Sequence, residues 1–222
     1  MRNQPAIRNI IFDYGGVIVD LYPQRTEAAF RELGIKDFNM HFNILKQTSL
    51  FDRLETGKVT ASEFRNQLNL ALHTNFTNQQ IDDAWNAMLG GIRKEKFDLL
   101  REVKSNYRTF LLSNTNCIHL EKLTGYLMEA HGRHDLDAFF ENVYYSFLVG
   151  LRKPDAAIFL KVIRDNNLLP GETLFIDDSP QHVAGAKAAG LQALLFPAGD
   201  DLRLFLSKHL PGCMIGQASS AN

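Results

Sequence analysis

Residues 9–16 read Asn9-Ile10-Ile11-Phe12-Asp13-Tyr14-Gly15-Gly16. The run is apolar at every position rather than at alternate ones, which is what a strand covered on both faces requires. It stops on an acid, and two glycines follow that let the backbone approach a ligand closely. The stretch predicts the first strand of a parallel sheet, with Asp13 at its carboxyl end.

Working outward, four more short runs have the same character: residues 108–112, 142–146, 173–177 and 192–196. Each has the length and the β-branched, aromatic or leucine content of a buried strand. Amphipathic segments separate them. Over residues 155–166, Ile158, Phe159, Val162 and Ile163 share one helical face. Residues 182–189 form a short alanine-rich helix stopped by Gly190. Strands alternating with helices predict an α/β fold, a doubly wound, Rossmann-like parallel sheet covered on both sides.

The interval between the first two strands breaks the rhythm. A strand–helix–strand unit needs about 30 residues, so roughly 60–70 residues are in excess there. They read as helix. Thr60 with Glu63 and Thr77 with Gln80 match capping boxes, and Ile81, Trp85, Met88 and Leu89 follow helical spacing. The expected organisation is a core of residues 1–20 and 96–210, an inserted helical-bundle cap over 21–95, and a flexible tail over 211–222.

Composition bounds the function. The chain has 222 residues, 45% of them hydrophobic and 22% charged, enough to bury a core. Lys and Arg total 24 against 25 Asp and Glu, a formal charge of −1, so there is no basic excess to attract nucleic acid or an anionic membrane. Two distant cysteines, Cys117 and Cys213, argue against a disulfide framework and for a reducing, cytoplasmic setting. No apolar run matches a secretory leader or a membrane span. Nothing in the sequence reports an oligomeric state.

Polar residues gather where the strands end: Asp13 after the first, Ser113 and Asn114 after the second, Asp177 and Asp178 after the fourth, with Lys153 in the loop before a helix. Ligands of open α/β sheets bind outside these carboxyl ends. Taken singly, Ser113-Asn114 is a turn and Arg152-Lys153-Pro154-Asp155 a solvated helix start. Together they describe one crevice. Three carboxylates crowded there repel one another, and a hard divalent cation with oxygen ligands relieves this. Mg²⁺ beside Lys153 suits a site that holds a phosphoryl group against a carboxylate, and a carboxylate can serve as nucleophile.

These motifs resemble the haloacid dehalogenase superfamily, whose members are mostly Mg²⁺-dependent phosphatases. The first is Ile11-Phe12-Asp13-Tyr14-Gly15-Gly16-Val17-Ile18-Val19-Asp20. The second is Leu112-Ser113-Asn114-Thr115-Asn116, and the third is Gly150-Leu151-Arg152-Lys153-Pro154-Asp155. The fourth is Phe175-Ile176-Asp177-Asp178-Ser179. The likeness is to bacterial α-glucose-1-phosphate phosphatases and to the phosphatase domain of soluble epoxide hydrolases. It implies Asp13 as nucleophile, Ser113 and the Asn114 amide as phosphate ligands, and Lys153 as the neutralising cation. It further implies Asp13, the Gly15 carbonyl and Asp178 as Mg²⁺ ligands, with Asp177 supporting the metal shell. The implied activity is hydrolysis of a small phosphorylated metabolite, such as a sugar 1-phosphate, through an aspartyl-phosphate. A 2-haloacid dehalogenase and a non-catalytic phosphate-binding protein are the alternatives.

One departure stands out. Most phosphatases of the superfamily carry an Asp two residues after the nucleophile as general acid and base; here it is Gly15. His182 reads as a polar loop residue, His131 and His134 as a solvated helix end, Trp85 as cap core and Cys117 as a small packed thiol.

Overall fold

The computed structural model describes residues 6–36, 38, 49–132, 134, 136 and 138–210. The tail expected over 211–222, and Cys213 within it, lie outside the described residues. Five strands form one parallel sheet: β1 (Asn9–Phe12), β2 (Arg108–Ser113), β3 (Asn142–Tyr145), β4 (Thr173–Asp177) and β5 (Gln192–Leu195), in the order β3-β2-β1-β4-β5. The chain winds outward from β1 on both sides, as expected. β1 stops one residue before Asp13. β3 stops before Ser146, which opens a one-turn helix instead.

Side chains alternate across the sheet. Ile10, Phe12, Leu111, Leu174 and Ile176 enter one apolar layer, and Ile11, Phe110, Leu112, Phe175 and Ala193 enter the other. Ile10, Ile11 and Phe12 are all inaccessible to solvent, which explains their unbroken apolar run. The layers are completed by the core helices α5 (Lys94–Asn106), α6 (Cys117–His131), α7 (Ser146–Val149), α8 (Ala156–Asp165), α9 (Pro180–Ala188) and α10 (Leu202–His209).

Between β1 and β2 the described residues form α1 (Pro23–Glu32), α2 (Leu50–Glu55), α3 (Ala61–Leu72) and α4 (Asn78–Asn86) before α5 returns to the sheet. Both expected capping boxes are present. Thr60 accepts from the Glu63 amide and Thr77 from the Gln80 amide, with the reciprocal bonds in place. The insertion has its own apolar cluster, including Phe30, Leu54, Phe64, Ile81 and Trp85, which reaches Ile118 on α6. No described helix is long and apolar enough to cross a membrane.

The chain leaves and re-enters the core at neighbouring points. The Tyr22 amide donates to the Met88 carbonyl (2.8 Å), the Gly90 amide to Asp20 (2.7 Å) and the Asp20 amide to Gly91 (3.2 Å). Lys96 of α5 anchors this crossing, its ammonium donating to the carbonyls of Val17 (3.0 Å) and Ile18 (2.9 Å) and to Asp20 Oδ1 (2.9 Å).

Candidate active site

Register brings the acids together. Phe12 pairs with Ile176 on β4 and with Leu111 on β2, so the next residues out, Asp13 and Asp177, leave adjacent strands at the same level. The Asp13 amide donates to the Ile176 carbonyl at 2.9 Å, holding the nucleophile candidate beside β4. Ser113 ends β2 on the other side.

Lys153 is the hub. Its side chain is wholly buried, and its ammonium lies 2.8 Å from Asp13 Oδ1, 2.6 Å from Asp177 Oδ2 and 2.9 Å from the Leu112 carbonyl. Three acceptors use the three donors of the ammonium. Burial works against its charge, but Asp13 and Asp177 prevail and push its pKa up. The loop that delivers it is clamped by Asn114, whose side chain donates to the Lys153 carbonyl and accepts from the Lys153 amide, both at 2.9 Å.

The two acids fare differently. Burial raises Asp13, and Asp177 adds to this, so that even with Lys153 alongside it is pushed up to about 7. Burial also acts on Asp177, but Lys153 and His182 overcome it and hold this carboxyl at about 2. Both Asp177 oxygens are in use. Oδ1 accepts from the Ser179 amide (2.8 Å), Oδ2 from Lys153, and His182 Nδ1 lies 3.0 and 3.1 Å from the pair. An ionised carboxylate only accepts, so His182 carries its proton on Nδ1. Asp13 is engaged on one side only: Oδ1 takes the Tyr14 amide (2.7 Å) and Lys153, while Oδ2 has no partner among the described residues.

Asp178 is half-buried, and its carboxylate lies against the loop after β1. Gly16 there has φ +77°, and a Cβ at this position would collide with the Asp178 carboxylate, so both the turn and the close approach require glycine. Burial and the neighbouring Asp177 raise the Asp178 pKa. The Gly15 carbonyl accepts no hydrogen bond from the described residues. These groups fit a hard divalent cation. The Asp13 and Asp178 carboxyls both resist ionisation where they sit, a penalty that a cation would relieve, and the Gly15 carbonyl lies in the same loop. Asp13, Asp177 and His182 also present ligand atoms within 4.8 Å of one another, but Asp177 is already saturated.

Ser113 is buried at the end of β2, and its hydroxyl has no partner among the described residues. All the motif residues thus come to one edge of the sheet. Three further features escaped the sequence reading. His182 is no loop residue; it stands in the first turn of α9, behind Pro180 at the first helical position, and holds Asp177. Lys96, on an ordinary-looking amphipathic helix, is buried. Arg152 is partly buried rather than free in solvent: it pairs with Asp52 and, at 2.8 Å, with Glu55, both on α2.

Of the remaining candidates, His131 is not a solvated helix end, since its ring packs on Phe97 at 4.4 Å and its Nε2 is buried. His134 is exposed. Trp85 is core, stacked between Phe51 (5.0 Å) and His119 (5.4 Å), and burial lowers the His119 pKa to about 4. Cys117 is a free thiol packed on the same cluster.

Comparison with known proteins agrees with this geometry. Residues 7–190 match the family model of the haloacid dehalogenase-like hydrolases. The D-ribitol-5-phosphate phosphatase of Bacteroides thetaiotaomicron is 32% identical over 197 residues, spanning 89% of this chain and 95% of the relative. The structure of a haloacid dehalogenase family enzyme from Bacteroides thetaiotaomicron, solved with magnesium and inorganic phosphate, superimposes with a TM-score of 0.78. It is 32% identical and covers 88% of this chain and 97% of that one. A predicted hydrolase of the same family from Porphyromonas gingivalis gives a TM-score of 0.83 at 36% identity, covering 93% and 98%. The fold, the convergence of acids and lysine at one sheet edge, and these likenesses lead to one assignment: the chain belongs to the haloacid dehalogenase-like hydrolases.

Proposed function

We propose that the chain hydrolyses a small phosphorylated metabolite through a phosphoryl group carried on Asp13, with Mg²⁺ as cofactor. The observation that carries the reading is the asymmetry of Asp13. One oxygen is fixed by the Tyr14 amide and Lys153, and the other is open. A nucleophile held this way has its attacking oxygen oriented before substrate arrives.

The remaining roles follow from position. Lys153 opposes the burial that favours the protonated form of Asp13 and offsets charge on the phosphoryl oxygens. The Ser113 hydroxyl and Asn114 amide are the phosphate donors on the β2 side. Asp177, held by His182 and the Ser179 amide, fixes the position of Lys153. Asp13, Asp178 and the Gly15 carbonyl would hold Mg²⁺, which supplies positive charge against the entering dianion. The dehalogenase alternative gives no reason for Asp178 beside the β1 loop, since that reaction needs no metal.

The insertion over residues 21–95 is read as a cap over the core of 1–20 and 96–210, choosing the substrate. The Bacteroides relative is named for D-ribitol 5-phosphate, a polyol phosphate, which supports a sugar or polyol phosphate here. The test is release of phosphate from a panel of sugar and polyol phosphates with and without Mg²⁺, together with trapping by beryllofluoride. Mg²⁺-dependent turnover and an adduct on Asp13 are expected. Turnover undiminished by excess chelator would return the dehalogenase reading.

A further inference from the structure

Cleaving an alkyl phosphate requires a proton for the departing oxygen, and the residue that would supply it in most relatives is Gly15 here. A Cβ on Gly15 would lie 2.7 Å from Leu21 Cδ1, so the leucine tip occupies the space beside this position and would have to shift for a side chain to stand there. The other acids on this edge are committed. Asp13 is the nucleophile and Asp178 faces the metal loop. Asp177 is saturated, and Asp20 is gripped by Lys96.

One further carboxyl approaches this edge, paired with Arg152 alone among the described residues. Glu55 ends α2, and two residues on, Gly57 (φ +66°) lies so close to the Phe147 carbonyl that a Cβ would collide with it. This docks the end of α2 on the carboxyl edge of the sheet. Glu55 Oε2 is buried, and it lies 2.8 Å from Arg152 Nη2 without the alignment of a hydrogen bond. Arg152 is the residue before Lys153, and the Lys153 charge reaches Glu55, so this carboxyl stands beside the loop that delivers the lysine. Attack and departure lie roughly in line in phosphoryl transfer. With Asp13 at the strand end, the leaving oxygen therefore points away from the sheet, toward the insertion.

We propose that Glu55 replaces the missing acid at position 15, giving a proton to the leaving oxygen and taking one back from the attacking water. This rests on the Asp13 reading above. In the first step an Asp13 oxygen bonds to phosphorus, the bond from phosphorus to the leaving oxygen breaks, and that oxygen takes the Glu55 proton and departs as an alcohol. In the second, water attacks the same phosphorus, the bond to Asp13 breaks, and the water's proton passes to Glu55. Asp13 and Glu55 are both restored, and phosphate leaves. The charged groups reaching Glu55 are Arg152, Asp52 and Lys153. Burial raises its pKa and Asp52 adds to this, while Arg152 and Lys153 oppose, and the balance keeps it above the usual glutamate range. Its place at the carboxyl end of a helix also disfavours the anion.

The experiment compares kcat/KM, with Mg²⁺, for p-nitrophenyl phosphate and for whichever of D-ribitol 5-phosphate and glucose 6-phosphate the wild type cleaves faster. kcat/KM reads the steps through leaving-group departure, and nitrophenolate leaves unprotonated. Glu55→Gln should lower the alkyl value by about 10²–10⁴, the usual worth of a general acid, and the nitrophenyl value by less than about tenfold. The alkaline limb of the alkyl profile should vanish with it. Residual nitrophenyl activity certifies that the variant is folded. Equal losses on both substrates, no loss on either, or a wild type that cleaves only the nitrophenyl ester would overturn the proposal. Failure of the Asp13 reading shows separately, as near-normal turnover of both substrates by Asp13→Asn.

Discussion

Lys153 and Asp177 form a wholly buried ion pair, 2.6 Å apart, in which neither side chain reaches solvent. Such a pair tolerates loss of a partner poorly, because the survivor is left charged without compensation. Lys153→Met should cost about 3–5 kcal/mol of stability, read as a lower midpoint in urea. It should also lower kcat by at least ~10²–10³, the usual cost of losing one preorganised donor to a transition-state anion. A variant as stable as the wild type would mean that Asp177 does not depend on Lys153.

Asp13→Asn should abolish turnover with the fold retained. Its stability profile should change too. The folded pKa of Asp13, about 7, lies above the unfolded 3.8, so the native state holds the proton more tightly. The associated stability is fully present below about pH 4 and is lost as pH rises through about 7. With metal removed by chelator, the wild type should lose stability across that window and Asp13→Asn should lose less. Urea melts at several pH values measure the difference; parallel curves would refute the raised pKa.

Binding of Mg²⁺ should carry the same signature. Below pH 7 the metal must displace the Asp13 proton, so affinity should fall by up to about tenfold per pH unit and binding should release close to one proton. Calorimetry in buffers of different ionisation heat reads this directly. Asp178→Asn should weaken the metal by more than about 100-fold. Asp177→Asn, acting through its neighbours, should fall in the ~10–100-fold range of groups that orient ligands. The reverse order would exchange their roles.

Lys96→Met should destabilise by about 2–3 kcal/mol, since it strips a charged donor from two carbonyls and Asp20. Arg93, 3.8 Å from Asp20, replaces only part of this. Faster amide exchange over residues 14–21 is the expected readout, because that loop loses its anchor.

The sheet was legible because burial on both faces leaves unbroken runs such as Ile10-Ile11-Phe12. The insertion was legible from its spacing and its capping boxes, which are local signals. Asp13, Lys153 and the Asp177-Asp178 pair could be read because each lies at or just beyond a strand end or in the turn before a helix. What escaped depends on contacts distant in sequence. Lys96 bonds to Val17, 79 positions away, and Arg152 to Asp52, 100 away. In the sequence both look like solvated basic residues at helix positions. His182 left a signal, since it falls in the first turn of a helix behind a proline, five residues after Asp177, where a side chain can reach back to the strand end.

The paired crossing at Tyr22–Met88 and Asp20–Gly90 has an evolutionary consequence. The insertion departs and returns through one narrow gate, so its length and sequence can change while the strands on either side keep their register. Closing a longer or shorter excursion at such a gate alters the chain entropy only logarithmically, about 0.6 kcal/mol per doubling. On the proposed reading of the insertion as the cap that chooses the substrate, the lineage can therefore exchange it and inherit the strand-end residues unchanged. If Glu55 is the acid, that exchange is not free: a new cassette must bring its own proton, or its enzymes will be confined to esters whose alcohols leave without one.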